Sequence, residues 1–325
     1  KISVFCNVKE DSVIQAIDVD TIYAVPKDLR DNGLDAAVLS ALGKKRLSKT
    51  NLRKWNKVVE RIRKPKNEIN IGVVGKYLDL NDAYKSLFEA LTHGGIANNA
   101  KVKIKTIDSE KLEKTRNTRI LKNVDGILVP GGFGKRGSEG KILSSKYARE
   151  NKVPYFGICF GMQMAVIDYA RDLLGYKEAS SSEFGKADIP LIGLLKEWIK
   201  DEEVEKRNLQ SDYGGTMRLG SYPAILKKGS KVRNIYRKNK IHERHRHRYE
   251  VNLSFRKELE KAGMKFVGMS PDGYLPEIIE LKDHPWFVGV QFHPELKSRP
   301  FNPHPLFSSF IKASIVYSKL SDKGK

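Results

Sequence analysis

Short apolar runs recur along most of the chain, and most are followed by a segment whose apolar residues fall three or four apart. Runs at 69–75, 101–107, 124–130 and 153–158 have strand length, and 82–93, 138–151 and 162–174 have the spacing of helices. Asp79 or Asn81 is placed to cap the first of these helices, and Gly94–Gly95 to stop it. Such alternation predicts an α/β fold, a mainly parallel sheet with helices on both faces. From 216 the pattern is richer in strands, at 216–222, 249–253, 265–270, 275–281 and 287–292. A helix is predicted over 254–263, ended by glycine, and another over 305–320. The stretch 180–215 is looser, with a strongly charged run at 201–207, and reads as a lid or a solvated edge.

Ahead of this domain, 1–6 is strand-like, 11–16 and 27–33 are short helical or turn pieces, and 34–42 is a helix stopped by Gly43. Leu52, Trp55, Val59 and Ile62 then share one helical face, which Pro65 ends. The chain divides accordingly into a short α/β tail (1–43), a basic linker helix (44–68) and a main domain (69–325). The tail is too short to bury a core of its own and is expected to lean on another domain or subunit.

Composition adds charge to this picture. The 325 residues carry a formal net charge of +21, concentrated at 41–66 (eleven Lys or Arg against Glu60) and 231–248 (eight against Glu243). Such fields attract polyanions, but only Trp55 in the first block could stack on a base, so nucleic-acid binding is not the expected role. No apolar run is long enough to span a bilayer, and the first residues do not read as a secretory leader. Two cysteines far apart, Cys6 and Cys159, fit a reducing cytoplasm better than a disulfide scaffold. The missing initiator Met suggests a processed chain or a piece of a longer one. His242, His245 and His247 could suggest a metal, but Arg244, Arg246 and Arg248 among them would repel a cation, and none is expected. Neither Gly72–Lys76 nor Gly132–Gly137 completes a phosphate-binding loop.

The chemistry lies at strand ends. Gly157, Ile158, Cys159, Phe160 and Gly161 join a strand to a helix through a tight turn, an elbow that lifts a nucleophile off the backbone beside a helix N-terminus. His293 and Glu295 follow the strand 287–292. If that strand lies parallel to 153–158, the imidazole emerges beside the sulfur to take its proton, and Glu295 fixes the ring's tautomer. Gly131 and Gly132, after the strand 124–130, would offer backbone donors to an oxyanion. Taken singly, each residue has an ordinary structural reading; together they fit one scheme.

The elbow and the Gln291–Phe292–His293–Pro294–Glu295 stretch resemble those of class I glutamine amidotransferases. Gly215–Thr216–Met217–Arg218–Leu219–Gly220 and the run His245–Arg246–His247–Arg248–Tyr249–Glu250–Val251–Asn252 are similar to the amidotransferase half of the CTP synthase family. Coverage is essentially the whole chain, with 1–66 resembling the end of a synthetase domain and its linker. The resemblance implies a Cys159–His293–Glu295 triad. It implies that glutamine is held by Gly132, by Phe160, Gly161, Met162 and Gln163, and by Glu183 and Arg248. A carboxylate and a guanidinium answer the α-ammonium and α-carboxylate of free glutamine.

It also associates Arg136 and Arg218 with activation by GTP. ATP, Mg²⁺ and UTP belong to a synthetase core expected before residue 1, so no cofactor is expected in this chain. The family forms homotetramers through that core, so the isolated piece should be monomeric or weakly associated. The rival readings are a non-catalytic module of the same fold and a stand-alone γ-glutamyl hydrolase.

Overall fold

A computed structural model describes residues 1–44, 50–76, 84–194 and 217–321. The expected caps Asp79 and Asn81, the first two residues of the helix placed over 82–93, and the charged run 201–207 lie outside the described residues. So do Gly215 and Thr216. The chain forms two compact units, Lys1–Lys66 with Asn99–Lys101, and Asn67–Asn98 with Val102–Lys325.

In the first unit the expected strand over 1–6 is instead a one-turn helix, Ile2–Cys6. Its apolar side chains stand open, with Phe5 86% exposed. An apolar run becomes a strand only where a neighbour supplies backbone partners; without one, Phe5 N–H bonds locally to Lys1 O at 3.0 Å. The linker helix forms over Arg53–Arg63 and buries Val58 and Val59. Trp55 packs toward Tyr23, with ring centroids 6.3 Å apart, and Arg63 grips Asp20 with two hydrogen bonds of 2.8 and 2.7 Å.

The second unit is built on a nine-stranded sheet. Its strands are β1 (Asn67–Gly75), β2 (Ala100–Asp108), β3 (Gly126–Val129), β4 (Tyr155–Ile158), β7 (Arg218–Leu226), β8 (Lys240–His247), β10 (Met264–Met269), β11 (Pro276–Leu281) and β12 (Phe287–Val290), in the order β2-β1-β3-β4-β12-β11-β10-β7-β8. The pairs β1–β3, β3–β4 and β4–β12 are parallel, and from β12 to β8 every pair is antiparallel. The expected mainly parallel sheet is therefore mixed: its parallel half carries the elbow, and hairpins extend the other half. A small second sheet, β5 (Ala179–Ser181), β6 (Ile189–Leu194) and β9 (Tyr249–Val251), occupies part of the stretch read as loose.

Period-two alternation sorts the central strands. Phe156 meets Trp286, Phe307 and Phe310 on the face covered by the helix Pro305–Ser321. Tyr155, on the other face, stacks on Phe287 at 4.3 Å and donates to Gly161 O at 2.9 Å, under the helix Phe160–Leu173. The helix Lys85–Asn98 runs straight through Gly94–Gly95, which does not stop it. A Cβ on Gly94 would lie 2.9 Å from Ile311 Cγ1 and 3.0 Å from Phe307 O, so glycine here permits close helix packing.

Candidate active site

The elbow forms as the sequence implies. β4 ends at Ile158, Cys159 takes φ 52° and ψ −106°, and the helix Phe160–Leu173 begins at once. Positive φ is costly for a side-chain-bearing residue and is kept only where the surroundings enforce it. Here Cys159 N–H is tied to Val290 O at 2.7 Å. The flanking glycines answer crowding: a Cβ on Gly157 would lie 2.8 Å from the Gly161 carbonyl, and one on Gly161 would run into the Val129 carbonyl.

The parallel register that pairs Val290 with Ile158 brings the next residues of both strands out at one sheet edge. Gln291 Nε2 donates to Cys159 Sγ at 3.7 Å. His293 is fixed through its N–H to Arg244 O at 2.7 Å, and its ring Nδ1 lies 2.7 Å from Glu295 Oε1. Burial works against a charged His293 ring, but the interactions with Cys159 and Glu295 outweigh it and push its pKa up to about 10. Nε2, buried and with no well-formed hydrogen bond among the described residues, is the nitrogen left for the thiol. A Cβ on Gly131 would come within 2.8 Å of His293 Cε1 and 3.6 Å of Cys159 Cβ, so this backbone lies directly against both groups.

Cys159 opens on a small pocket bordered by Gly132, Phe133, Gln163, Glu183, His247, Arg248 and Tyr249. Glu183 sits on a 3₁₀ turn, Ser182–Phe184, whose N–H is capped by Ser181 Oγ at 3.2 Å. Its Oε1 accepts from Gly134 N–H at 2.6 Å. Burial raises its pKa, with Gly134 N–H and the Lys76 charge opposing. Arg248 is exposed at the rim. Gln163 is anchored by Nε2 to Tyr249 O at 2.8 Å and Gln291 Oε1 at 3.2 Å.

The other helix residues named from the resemblance do not border this pocket. Phe160 packs edge-on to Phe184, Gly161 lies under Val129, and Met162 reaches β12, its Cγ 2.8 Å from where a Gly289 Cβ would be. Arg136 is exposed and ion-paired to Glu110 at 3.2 Å. Arg218 is largely buried and holds Glu250 at 3.0 Å and Glu277 at 2.7 Å. Lys76, weighed from the sequence only as part of a phosphate-binding loop, and Lys141, not singled out there, are buried under the 130–134 loop.

Among the described residues no group of three or more His, Cys, Asp or Glu could hold a metal ion, and no helix is long and apolar enough to cross a membrane. Two of the three clustered histidines are engaged otherwise, His245 with Glu277 and His247 with Glu250.

Comparison with known proteins shows the family. Residues 79–313 match the family described as "Glutamine amidotransferase class-I", and residues 1–44 match "CTP synthase N-terminus". The chain is 58% identical over 320 residues to CTP synthase of Paramagnetospirillum magneticum and to that of Brucella ovis. Each match takes in 98% of this chain and 59% of the relative, so the chain spans about three-fifths of these relatives. A solved glutaminase domain of Trypanosoma brucei CTPS with bound acivicin is 36% identical, with a TM-score of 0.67 over 76% of this chain and 93% of that one. The chain belongs to the class I glutamine amidotransferase family, and its main domain corresponds to the glutaminase half of CTP synthase.

Proposed function

We propose that this chain hydrolyses L-glutamine at Cys159 and supplies the ammonia for amination of UTP to CTP. The observation that carries the proposal is the position of His293, bonded to Glu295 at 2.7 Å and with its other nitrogen left to Cys159. The thiolate adds to the side-chain carboxamide carbon, and the oxygen takes the negative charge beside the Gly131–Gly132 backbone. Imidazolium of His293 gives its proton to the leaving nitrogen, the C–N bond breaks, and ammonia departs from a γ-glutamyl thioester. The neutral ring then takes a proton from water, whose oxygen displaces the sulfur and frees glutamate. Glu183 and Arg248 are the charges that answer the α-ammonium and α-carboxylate of the substrate.

On this reading ATP, Mg²⁺ and UTP act in the part of the relatives' length that the chain does not span. The complete enzyme is a cytoplasmic homotetramer that responds to GTP, and the isolated chain is a monomer or associates weakly. Ammonia release from free glutamine tests the proposal. Cys159→Ala should abolish it, a loss of about 10⁴-fold or more, with the fold retained by circular dichroism. Turnover near the parent level would show another nucleophile, and a preference for γ-glutamyl peptides would favour a stand-alone hydrolase.

A further inference from the structure

The loop that bears the backbone donors rests on two buried lysines. Lys76 and Lys141 are 6% and 1% exposed, and among the described residues neither makes ion-pair contact with a carboxylate. Burying an ammonium without such a partner is costly. The cost shows in Lys141, whose pKa burial lowers to about 7, with Lys76 adding to the shift and Cys159 opposing it. Both side chains spend their hydrogen bonds on the same loop. Lys141 Nζ donates to Pro130 O at 3.2 Å, and Lys76 Nζ donates to Phe133 O at 3.0 Å and Gly134 O at 3.3 Å.

In a trans peptide the C=O and N–H point in opposite directions, so a cation that holds a carbonyl also aims the N–H of the next residue. The 133–134 peptide shows both ends of this lever: Lys76 takes the carbonyl, and the N–H of Gly134 lands on Glu183 Oε1 at 2.6 Å. The 130–131 peptide has the same construction, with Lys141 on its carbonyl and Gly131 lying against His293 and Cys159. Lys141 Nζ also sits 5.0 Å from the Phe160 ring centroid, next to the elbow. Tyr84 secures the Lys76 end, its hydroxyl bonding Lys76 O at 2.7 Å and accepting from Lys76 N–H at 3.2 Å.

We propose that Lys76 and Lys141 are positioning residues that set the loop by its carbonyls, Lys141 aiming the Gly131 N–H at the oxyanion and Lys76 aiming the Gly134 N–H at Glu183. The inference rests on the glutamine-hydrolysing reading and divides the two lysines by step. Lys141 serves an atom that becomes charged only in the transition state, so its loss should appear in kcat. Lys76 serves the carboxylate that meets the ground-state ammonium of glutamine, so its loss should appear in KM.

Steady-state glutamine hydrolysis and alkylation of Cys159 by iodoacetamide, measured on the parent protein, Lys141→Met and Lys76→Met, test this division. Alkylation uses the thiol but builds no oxyanion. Lys141→Met should lower kcat by about 10²–10³-fold, leaving KM and the alkylation rate within about threefold. Lys76→Met should raise KM by about tenfold or more with kcat nearly kept, and Lys76→Arg should restore part of it. Unchanged kcat and KM in both variants would overturn the proposal. So would a parallel loss of alkylation and turnover in Lys141→Met, which would place the lysine's effect on the thiol. A parent protein that is alkylated normally yet releases no ammonia would instead overturn the glutamine reading.

Discussion

The catalytic edge and the β7–β8 end of the same sheet both bury histidine–carboxylate pairs, yet they are built for different ends. At β7–β8, His245 Nε2 lies 2.5 Å from Glu277 and His247 Nε2 lies 2.6 Å from Glu250, with Arg218 bridging both carboxylates. His245 also spends its second nitrogen on Glu243 O at 3.0 Å. Burial opposes a charge on Glu250, but His247 and Arg218 outweigh it and hold the carboxyl below its ordinary range. At the catalytic edge, Glu295 engages one nitrogen of His293, and among the described residues no arginine is ion-paired with it; the other nitrogen is left to the sulfur. The residue types are the same. A pair bridged by an arginine holds strands together. His247 Nδ1 also lacks a hydrogen-bond partner among the described residues, so what marks His293 is that its free nitrogen interacts with the Cys159 thiol and can move its proton.

Changing each site separately should sharpen this contrast. The largest effect is expected from Glu295→Gln, which removes the group that fixes the His293 tautomer. Glutamine turnover should fall by about 10²–10⁴-fold, with a much smaller loss of stability read from the urea midpoint. Equal loss of stability and activity would show that Glu295 is mainly structural. Arg218→Met should do the reverse, because it leaves two buried carboxylates without their shared cation. A loss of about 3–5 kcal/mol is expected, read from urea unfolding, and an unchanged midpoint would remove the basis of the comparison.

The pH dependences should also run in opposite directions. The Glu250 carboxyl is held low in the folded state, so its contribution is present above its ordinary value of 4.5 and is lost as pH falls through the lower folded value. For His293, raised to about 10, the contribution is full below the ordinary 6.5 and is lost as pH rises through about 10. Glu295→Gln should bring that alkaline loss toward neutral pH, and Arg218→Met should bring the acid loss toward neutral pH. Melting temperatures across the pH range test both. The smallest effect is expected at Gly94→Ala, where the added methyl presses on the helix Pro305–Ser321 and should cost about 1–3 kcal/mol. No change there would return Gly94 to an indifferent helix position.

The contrast also explains what the sequence could convey. Cys159, His293 and Glu295 were legible because each follows a short apolar strand, and strand order then delivers them to one edge. β8 was not, because its inward positions carry Glu243, His245 and His247 beside Ile241, while His242, Arg244 and Arg246 face out. A period-two pattern written in charges resembles a basic surface until the partners Glu250 and Glu277, from other strands, are in place. Lys141 escaped for a similar reason, since a helical lysine is expected in water and only the fold shows Pro130 O above it. Ile2–Cys6 erred the other way: its apolar run suggests a strand, but strand formation depends on an edge the run does not itself provide.

The most direct measurement is acid quenching of the protein during turnover of isotopically labelled glutamine, followed by peptide mapping. A labelled γ-glutamyl thioester should form on Cys159 and be absent from Cys159→Ala. Ammonia release with no adduct on Cys159 under conditions that preserve thioesters, or an adduct on another residue, would contradict the proposed mechanism.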